Sequence, residues 1–160
     1  MTDHAHRYVM PTTALGQRSG RIFNRSVAWL TDQGISILGS RVLTVRGRSS
    51  GELRSTPVNL LTLDGERYLV SPRGHTQWAR NLRVAGAGTL RLGRRTEAFT
   101  ATELTDADKP PVLSAYLRRW KFEVGMFFDG VGPDQYDKLR EIAPGYPVFR
   151  ISLADDQARL

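Results

Sequence analysis

The feature of this sequence that most limits its fold is a pair of tight turns, each between two strand-like segments. Asp64-Gly65 separates LRSTPVNLLTL from ERYLV, and an Asp-Gly pair between such segments is a strong hairpin signal. A second turn near Gly93-Arg94 separates GTLRL from RTEAFTATE. Two successive hairpins predict that neighbouring strands run antiparallel.

Two more strand-like segments bring the expected number of strands to about six. SRVLTVRGR alternates in the region after Ile35, and GYPVFRISL follows the last helical pattern. Pro57 lies within the first hairpin and predicts an edge position or a bulge, because proline has no N–H to donate. Six antiparallel strands in a short chain usually close into a small barrel, since closure removes exposed edges. The sequence therefore predicts an α+β fold with a mainly antiparallel, six-stranded β-barrel and flanking helices.

Helical spacing of apolar residues occurs in three places. Residues 21–34 predict one helix, and WARNLRVAG predicts a short one that ends at Gly86 or Gly88. A longer helix is predicted from Thr105 or Asp106 onward, with prolines in its first turn. The residues expected on its buried face are Leu113, Leu117, Trp120 and Val124.

The length and composition favour one globular domain. At 160 residues, we expect a mobile N-terminal arm over residues 1–20 and a single domain over residues 21–160. The absence of cysteine excludes disulfides and thiolate zinc sites. No apolar run of about 20 residues could span a bilayer, and the first residues lack the apolar core of a signal peptide. We therefore expect a cytoplasmic protein.

The charge of the chain predicts an anionic partner. It carries 23 Lys and Arg against 16 Asp and Glu, a net charge of +7, and most of the cations are arginine. Arginine binds phosphate and carboxylate more specifically than lysine does. Nucleic acid, a membrane surface and a phosphorylated or carboxylated small molecule all fit this charge. The arginines around residues 18–25 are interpreted as a solvated helix face, with weak membrane-surface contact by this N-terminal region as the alternative.

Motifs for catalysis by the protein alone are absent from the sequence. The only histidines are His4, His6 and His75, and there is no G-x-S-x-G motif and no metal-ligand spacing. The Walker and dinucleotide fingerprints are also absent. We therefore assign no catalytic residue and no metal ligand, and we expect a bound cofactor to carry any chemistry.

The first candidate binding loop is RGRSSGELR, residues 46–54. Its glycines allow the backbone to approach an anion closely, and its serines add hydroxyl groups. A solvated basic turn explains the same residues equally well. The polar and cationic members of this loop are Arg46, Arg48, Ser49, Ser50 and Arg54.

The second candidate loop is SPRGHTQWARNL, residues 71–82. Ser71, Arg73 and Gly74 come directly before a predicted helix, whose N-terminus carries unpaired N–H groups and a positive partial charge. Trp78 and Asn81 lie about one turn apart on that helix. The arrangement describes an anion cradle. The alternative is that Trp78 belongs to the core and Asn81 only caps the helix.

Taken together and in this order, the two loops resemble the deazaflavin-dependent nitroreductase family. The resemblance covers residues 20–153, and its specific part lies within residues 42–92. It implies the split β-barrel fold shared with flavin-dependent pyridoxamine-phosphate oxidases. It also implies coenzyme F420, a deazaflavin with a phosphate and an oligoglutamate tail. The reduced cofactor would deliver hydride to a small-molecule acceptor: a quinone, a nitro compound or an activated alkene.

The resemblance also assigns positions around the cofactor. Ser49 replaces a lysine that is common in the family, and Asn59 replaces a tyrosine often found near the ring. The residues implied to meet the phosphate and the acidic tail are Arg48, Ser49, Ser50, Gly51 and Arg54. Those implied near the deazaflavin ring are Pro57 and Asn59. Those implied to form or support the phosphate cradle are Ser71, Arg73, Gly74, Trp78 and Asn81.

Two other functions fit the same residues. The barrel could bind FMN in place of F420, as related split-barrel oxidases do. Alternatively, the chain could be a non-catalytic binder of an anionic ligand, either a lipid-like molecule or nucleic acid. We expect no nucleic acid, because Trp78 is the only aromatic residue near the arginines of residues 80–95 and base stacking needs several. Both a monomer and a homodimer remain possible.

Overall fold

A computed structural model describes residues 40–154 of the chain. The predicted arm (residues 1–20) and the predicted helix over residues 21–34 lie outside the described residues. The strands are β1 (Ser40–Arg46), β2 (Leu53–Leu63), β3 (Glu66–Val70), β4 (Ala87–Leu92), β5 (Arg95–Glu103) and β6 (Val148–Leu153). The helices are α1 (Gln77–Ala85), α2 (Lys109–Val124) and α3 (Tyr136–Ile142). Three short 3₁₀ turns cover Asp106–Asp108, Gly125–Phe127 and Ala143–Gly145.

The six strands close into one barrel in the order β1-β2-β3-β6-β5-β4. Every neighbouring pair is antiparallel, including the pair of β1 with β4 that closes the barrel. The predicted α+β class and the antiparallel barrel are therefore confirmed.

Both predicted hairpin turns are present. Asp64 and Gly65 connect β2 to β3 with φ angles of 51° and 79°, and two central residues with positive φ define a type I′ turn. Gly93 and Arg94 connect β4 to β5. These turns fix the register of each hairpin, so alternate side chains along each strand point into the barrel.

The pairing of β2 changes along its length. The register pairs Leu53–Asn59 with β1 and Leu60–Leu63 with β3. Within residues 40–154, Pro57 is therefore paired on one side, opposite Val42. The predicted edge position of Pro57 is confirmed, because β3 pairs with β2 only from Leu60 onward.

The barrel interior forms one apolar core. Helix α1 closes one end of the barrel, because its buried Trp78, Ala79 and Leu82 pack into the interior cluster. Full burial of each large apolar side chain contributes about 1.5–3 kcal/mol. The strand residues of this cluster are Leu43, Val45, Val58, Leu69, Leu90, Phe99, Phe149, Ile151 and Leu153.

A second core lies on the outer face of the barrel, where α2 and α3 pack against Leu61, Val70 and Val148. The four predicted face residues of α2 are all buried, which confirms that prediction. The helix begins at Lys109 and not near Thr105, because the 3₁₀ turn precedes it. Its backbone kinks at Trp120, where φ is −124° and ψ is 29°.

Helix α3 was not predicted from the sequence. It is seven residues long, and Leu139 is its only buried side chain. So short a helix offers too few apolar positions to show a helical period. Helix α1, by contrast, ends as predicted at Gly86, which has a φ of 68°.

The two ends of the barrel differ. At one end, here called the α1 end, β1 and β3 finish and β2, β4 and β6 begin. The loop of residues 47–52, the turn of residues 71–76 and α1 all lie there. At the other end, here called the hairpin end, lie the Asp64-Gly65 and Gly93-Arg94 turns.

Candidate functional site

The antiparallel topology brings the two candidate loops to the same place. Strands β1 and β3 flank β2 and run in the same direction. The connection after β1 and the connection after β3 therefore both emerge at the α1 end. The two loops are about 25 residues apart in sequence, yet they meet over α1.

Arg48 joins the first loop to the helix. Its backbone N–H donates to Asn81 Oδ1 at 3.1 Å, and its Nη1 donates to the same oxygen at 2.7 Å. Nη1 also donates to Gln77 Oε1 at 2.9 Å. The guanidinium group of Arg48 is thus held along the first turn of α1.

Internal hydrogen bonds shape the rest of the first loop. The Gly47 N–H donates to the Glu52 carbonyl at 2.7 Å, and the Gly51 N–H donates to the Gly47 carbonyl at 3.0 Å. The Ser50 hydroxyl accepts from the Glu52 N–H at 3.1 Å. Ser49 is exposed at the tip of the loop. The loop is therefore a compact turn whose tip faces solvent.

The second loop is tightly ordered around Ser71, which is fully buried. Its hydroxyl donates to the Gly74 carbonyl at 2.6 Å and lies 3.0 Å from the Thr76 hydroxyl. The Gly74 N–H in turn donates to the Ser71 carbonyl at 3.2 Å. Ser71 thus acts by fixing the turn that leads into α1, and its hydroxyl points inward.

Helix α1 presents its N-terminus between the two loops. Thr76 precedes it in an extended conformation, and the first helical hydrogen bond runs from the Arg80 N–H to the Thr76 carbonyl at 3.0 Å. The first turn contains no acidic residue. An α-helix leaves its first N–H groups without intrahelical acceptors, and the helix dipole makes this end electropositive. This end of α1 therefore attracts an anion.

Arg73 points away from the first loop. Its guanidinium lies over the ring of Phe127, 4.6 Å from the centroid. The structure brings the backbone of residues 71–74 to the site, but it directs this side chain toward the Gly125–Phe127 turn.

A second set of contacts fixes the far side of the turn. His75 Nε2 lies 3.0 Å from the Pro144 carbonyl, and His75 Nδ1 lies 3.3 Å from Arg83 Nη2. Nδ1 faces a guanidinium donor and Nε2 faces a carbonyl acceptor, so Nδ1 is assigned as the acceptor and Nε2–H as the donor. Arg83 also donates three hydrogen bonds to Glu103, the shortest at 2.7 Å, and this pair raises the pKa of Arg83. These contacts attach α1 and its preceding turn to β5 and to the Ala143–Gly145 turn.

Trp78 and Asn81 have different environments although they share a helix. The indole of Trp78 is in the barrel core, 6.1 Å from the Phe149 ring centroid to centroid. Asn81 is buried and receives both bonds from Arg48. The core alternative describes the position of Trp78, whereas Asn81 bonds the first loop.

Pro57 and Asn59 lie on the outer face of β2, and Asn59 faces α2. Asn59 is 3% exposed, and its Nδ2 lies 3.5 Å from the hydroxyl of Tyr116, which is 1% exposed. Burial raises the pKa of Tyr116, although the hydrogen bond from Asn59 pulls it the other way. Tyr116 thus keeps its proton throughout the neutral range.

Arg54 stands at the start of β2, at the rim of the same end. Its Nη2 is 3.4 Å from Glu52 Oε2, and both side chains are largely exposed. An exposed pair of this kind contributes little to stability, about 0–1 kcal/mol. Replacing Glu52 by a bound anion as the partner of Arg54 therefore costs little free energy.

Sequence reasoning missed Gln77 as a member of the site. Gln77 stands four residues before Asn81, and residues with this spacing share a helix face. That spacing is a signal that could have linked Gln77 to the loop. The sequence offers Tyr116 only as one of five tyrosines that could donate a hydrogen bond, and it could not single out Tyr116 because the contact with Asn59 spans 57 residues.

Two features are absent from the part of the chain that the structure describes. Residues 40–154 contain no group of three side chains suited to hold a metal ion. No helix in the same range is both long enough and apolar enough to cross a membrane.

A sequence profile of F420H2-dependent quinone reductases matches residues 20–121. The chain belongs to this family. Its cofactor is therefore coenzyme F420, and its chemistry is F420-dependent oxidoreduction. The resemblance predicted from the two loops is confirmed. No curated protein sequence matches the chain significantly.

Two solved structures show the same fold at low sequence identity. An F420H2-dependent reductase is 17% identical, with a TM-score of 0.51 over 71% of this chain and 94% of that one. A structure described as a domain-swapped dimer is 16% identical, with a TM-score of 0.53 over 81% and 96%. A protein of unknown function from Agrobacterium tumefaciens is 13% identical, with a TM-score of 0.49 over 82% of this chain. This chain spans 57% of that protein's length.

Proposed function

We propose that this chain is an F420H2-dependent reductase whose acceptor is a quinone. The family to which it belongs supports the quinone. Nitro compounds and activated alkenes are further acceptors of the same electron-poor kind. The observation that carries the proposal is the bridge from Arg48 to Gln77 and Asn81, which joins a basic loop to the N-terminus of α1.

The residues at the α1 end fit the anionic part of F420. A phosphate and carboxylates need N–H donors and cations, and the end of α1 and Arg48 provide both. Ser49, Ser50, Gly51 and Arg54 continue this surface along the first loop. Ser71 and Gly74 hold the turn before α1, and Trp78 anchors the helix in the core.

The positions of Pro57 and Asn59 suit contact with an apolar ring. Pro57 is half-buried and Asn59 is buried on the outer face of β2. Asn59 is held against the Tyr116 hydroxyl. We place the deazaflavin ring beside this half of β2, whose edge is open in the described part of the chain.

The bound cofactor supplies hydride from its reduced deazaflavin ring. The protein provides orientation, shelter from water and charge stabilisation. Arg48 and the α1 N-terminus bind the anionic groups, and Pro57 and Asn59 limit the position of the ring. Tyr116 remains protonated and accepts the hydrogen bond from Asn59 Nδ2, so it places no negative charge on this side of β2.

Titration of the purified protein with F420, with FMN in parallel, tests the proposal. We expect F420 to quench tryptophan fluorescence at lower concentration than FMN does. Arg48→Ala removes hydrogen bonds to a charged group, worth about 1.5–3 kcal/mol, so its Kd for F420 should rise roughly tenfold or more. Arg94→Ala removes the same charge at the hairpin end and should bind F420 as the wild type does.

The acceptor class is then resolved with reduced F420. Oxidation of F420H2 is followed by its absorbance with a quinone, a nitroaromatic compound and a cyclic enone. We expect the highest kcat/KM with the quinone. Preference for FMN in the titration would contradict the cofactor site, and turnover of the nitro compound alone would contradict the quinone assignment.

A further inference from the structure

The hydrogen bonds of Arg48 leave one defined edge of its guanidinium group for a ligand. A guanidinium group has five N–H donors in a planar fork. Both hydrogens of Nη1 are used by Gln77 Oε1 and Asn81 Oδ1. Among residues 40–154, no acceptor bonds Nε or Nη2 of Arg48. These two atoms form a parallel pair of donors, which matches two oxygens of one phosphate or carboxylate.

The other arginines of the first loop have different tasks. Arg46 Nη1 donates to the Gly51 carbonyl at 2.7 Å and so braces the loop itself. Arg54 lies 3.4 Å from Glu52 at the base of β2. Arg48 is the one of these three that the structure fixes against α1.

We infer that Gln77 and Asn81 are positioning residues that orient Arg48 as a two-donor clamp for an oxyanion at the α1 N-terminus. This inference rests on the proposed function, in which the oxyanion belongs to F420. The two amide oxygens stand on one face of α1, one turn apart, and each accepts from Nη1. They carry no net charge, so they hold the cation without neutralising it.

The arrangement explains why amides and not carboxylates stand at these two positions. A carboxylate beside Arg48 would form an ion pair and repel the incoming anion. Asn81 also accepts the Arg48 backbone N–H at 3.1 Å, so it fixes the loop and the side chain together. An arginine ordered before binding loses less side-chain freedom when the ligand arrives.

A double-mutant cycle on F420 binding tests this positioning. We expect Asn81→Ala to raise the Kd roughly tenfold when Arg48 is present and by less than about twofold in an Arg48→Ala background. Gln77 is exposed, so the Gln77→Ala variant should fold normally. It should show a smaller effect of the same kind, since it loses one bond of the three. Equal effects of Asn81→Ala in both backgrounds would overturn the inference.

Truncated cofactors separate an anion contact from a general structural effect. The phosphate-free deazaflavin riboside, the phosphorylated form without glutamate, and full F420 are titrated against the wild type, Gln77→Ala and Asn81→Ala. Loss of affinity for both phosphorylated forms, with riboside binding unchanged, assigns the clamp to the phosphate. Loss for full F420 alone assigns it to the glutamate tail. An equal loss for the riboside would overturn the inference, because the riboside carries neither anion.

The same titrations keep the inference distinct from the proposed function. If the wild type binds none of the three compounds, the proposed function fails and the inference with it. If the wild type binds F420 and the variants bind it equally well, the inference alone fails. Circular dichroism melting of each variant confirms that it is folded before it is titrated.

Discussion

At the scale of single residues, the buried pair of Asn59 and Tyr116 has a consequence for stability at high pH. Burial raises the pKa of the Tyr116 hydroxyl above the ordinary tyrosine value of about 10. The unfolded chain therefore releases this proton at a lower pH than the folded chain does. The resulting stabilisation is complete below about pH 10 and falls as the pH rises further, by up to about 1.4 kcal/mol per pH unit.

The first prediction is that Tyr116→Phe flattens this dependence. Urea unfolding between about pH 9 and about pH 11 should show a smaller fall in the free energy of unfolding than for the wild type. Tyr136, which is 42% exposed, provides the control, because Tyr136→Phe should leave the slope unchanged. An unaltered slope in Tyr116→Phe would show that another group controls stability in this range.

The residue types in the sequence indicated which residues belong to the site, but they did not indicate which of those residues contact each other. Arg48 and Asn81 were both expected at the site from their separate loops. Their hydrogen bond joins residues 33 positions apart, and no local pattern encodes such a contact. For Trp78 the sequence left two positions open, because an indole suits a core and a ligand pocket equally well.

At the scale of elements, the spacing between β1 and β4 depends on one glycine. A Cβ atom at Gly88 would lie 2.7 Å from the Thr44 carbonyl oxygen and 3.0 Å from the Phe99 ring. The β1–β4 pairing closes the barrel. This glycine therefore permits the close backbone approach on which closure depends.

The second prediction concerns this position. Gly88→Ala should lower the free energy of unfolding by roughly 1–3 kcal/mol, since the strands must separate to accept the methyl group. Gly125→Ala is the matched control: its Cβ would have no neighbour nearer than the Lys121 Cγ at 3.9 Å, so its change should be small. Equal stabilities of the two variants by urea unfolding would contradict the close approach.

Local signals predicted the elements unequally. The hairpins were predicted because Asp64-Gly65 and Gly93-Arg94 are strong turn signals that act within a few residues. The start of α2 was placed too early, because Thr105 and Asp106 begin a 3₁₀ turn that resembles a helix cap in sequence. The kink at Trp120 also had no local signal, since neither glycine nor proline stands there.

At the scale of the whole molecule, the candidate site depends on the barrel core. Helix α1 carries the site on its N-terminus and outer face, and its Leu82 is 1% exposed within the barrel cluster. The position of the clamp is therefore coupled to packing inside the barrel. Antiparallel closure was predictable from the number of hairpins, whereas the use of α1 as a plug required the three-dimensional arrangement.

The third prediction is that Leu82→Ala weakens both stability and cofactor binding. Removal of this side chain should cost about 2–5 kcal/mol, because it leaves a cavity under α1. The Kd for F420 should rise in parallel as the helix loses its anchor. Val84, on the same helix, is 68% exposed. Val84→Ala should therefore change the free energy of unfolding by less than about 0.5 kcal/mol. Thermal melts and F420 titrations of both variants provide the comparison. If Leu82→Ala is destabilised but binds F420 as tightly as the wild type, the site does not depend on packing in the barrel core.

The difference between the two ends of the barrel also has a practical consequence. All connections assigned to the cofactor leave the α1 end, whereas the Gly93-Arg94 turn projects from the opposite end. A peptide tether inserted at that turn would attach the protein to an electrode or a resin in one orientation. The α1 end of every immobilised molecule would then face the solution, where an electron donor could reach it.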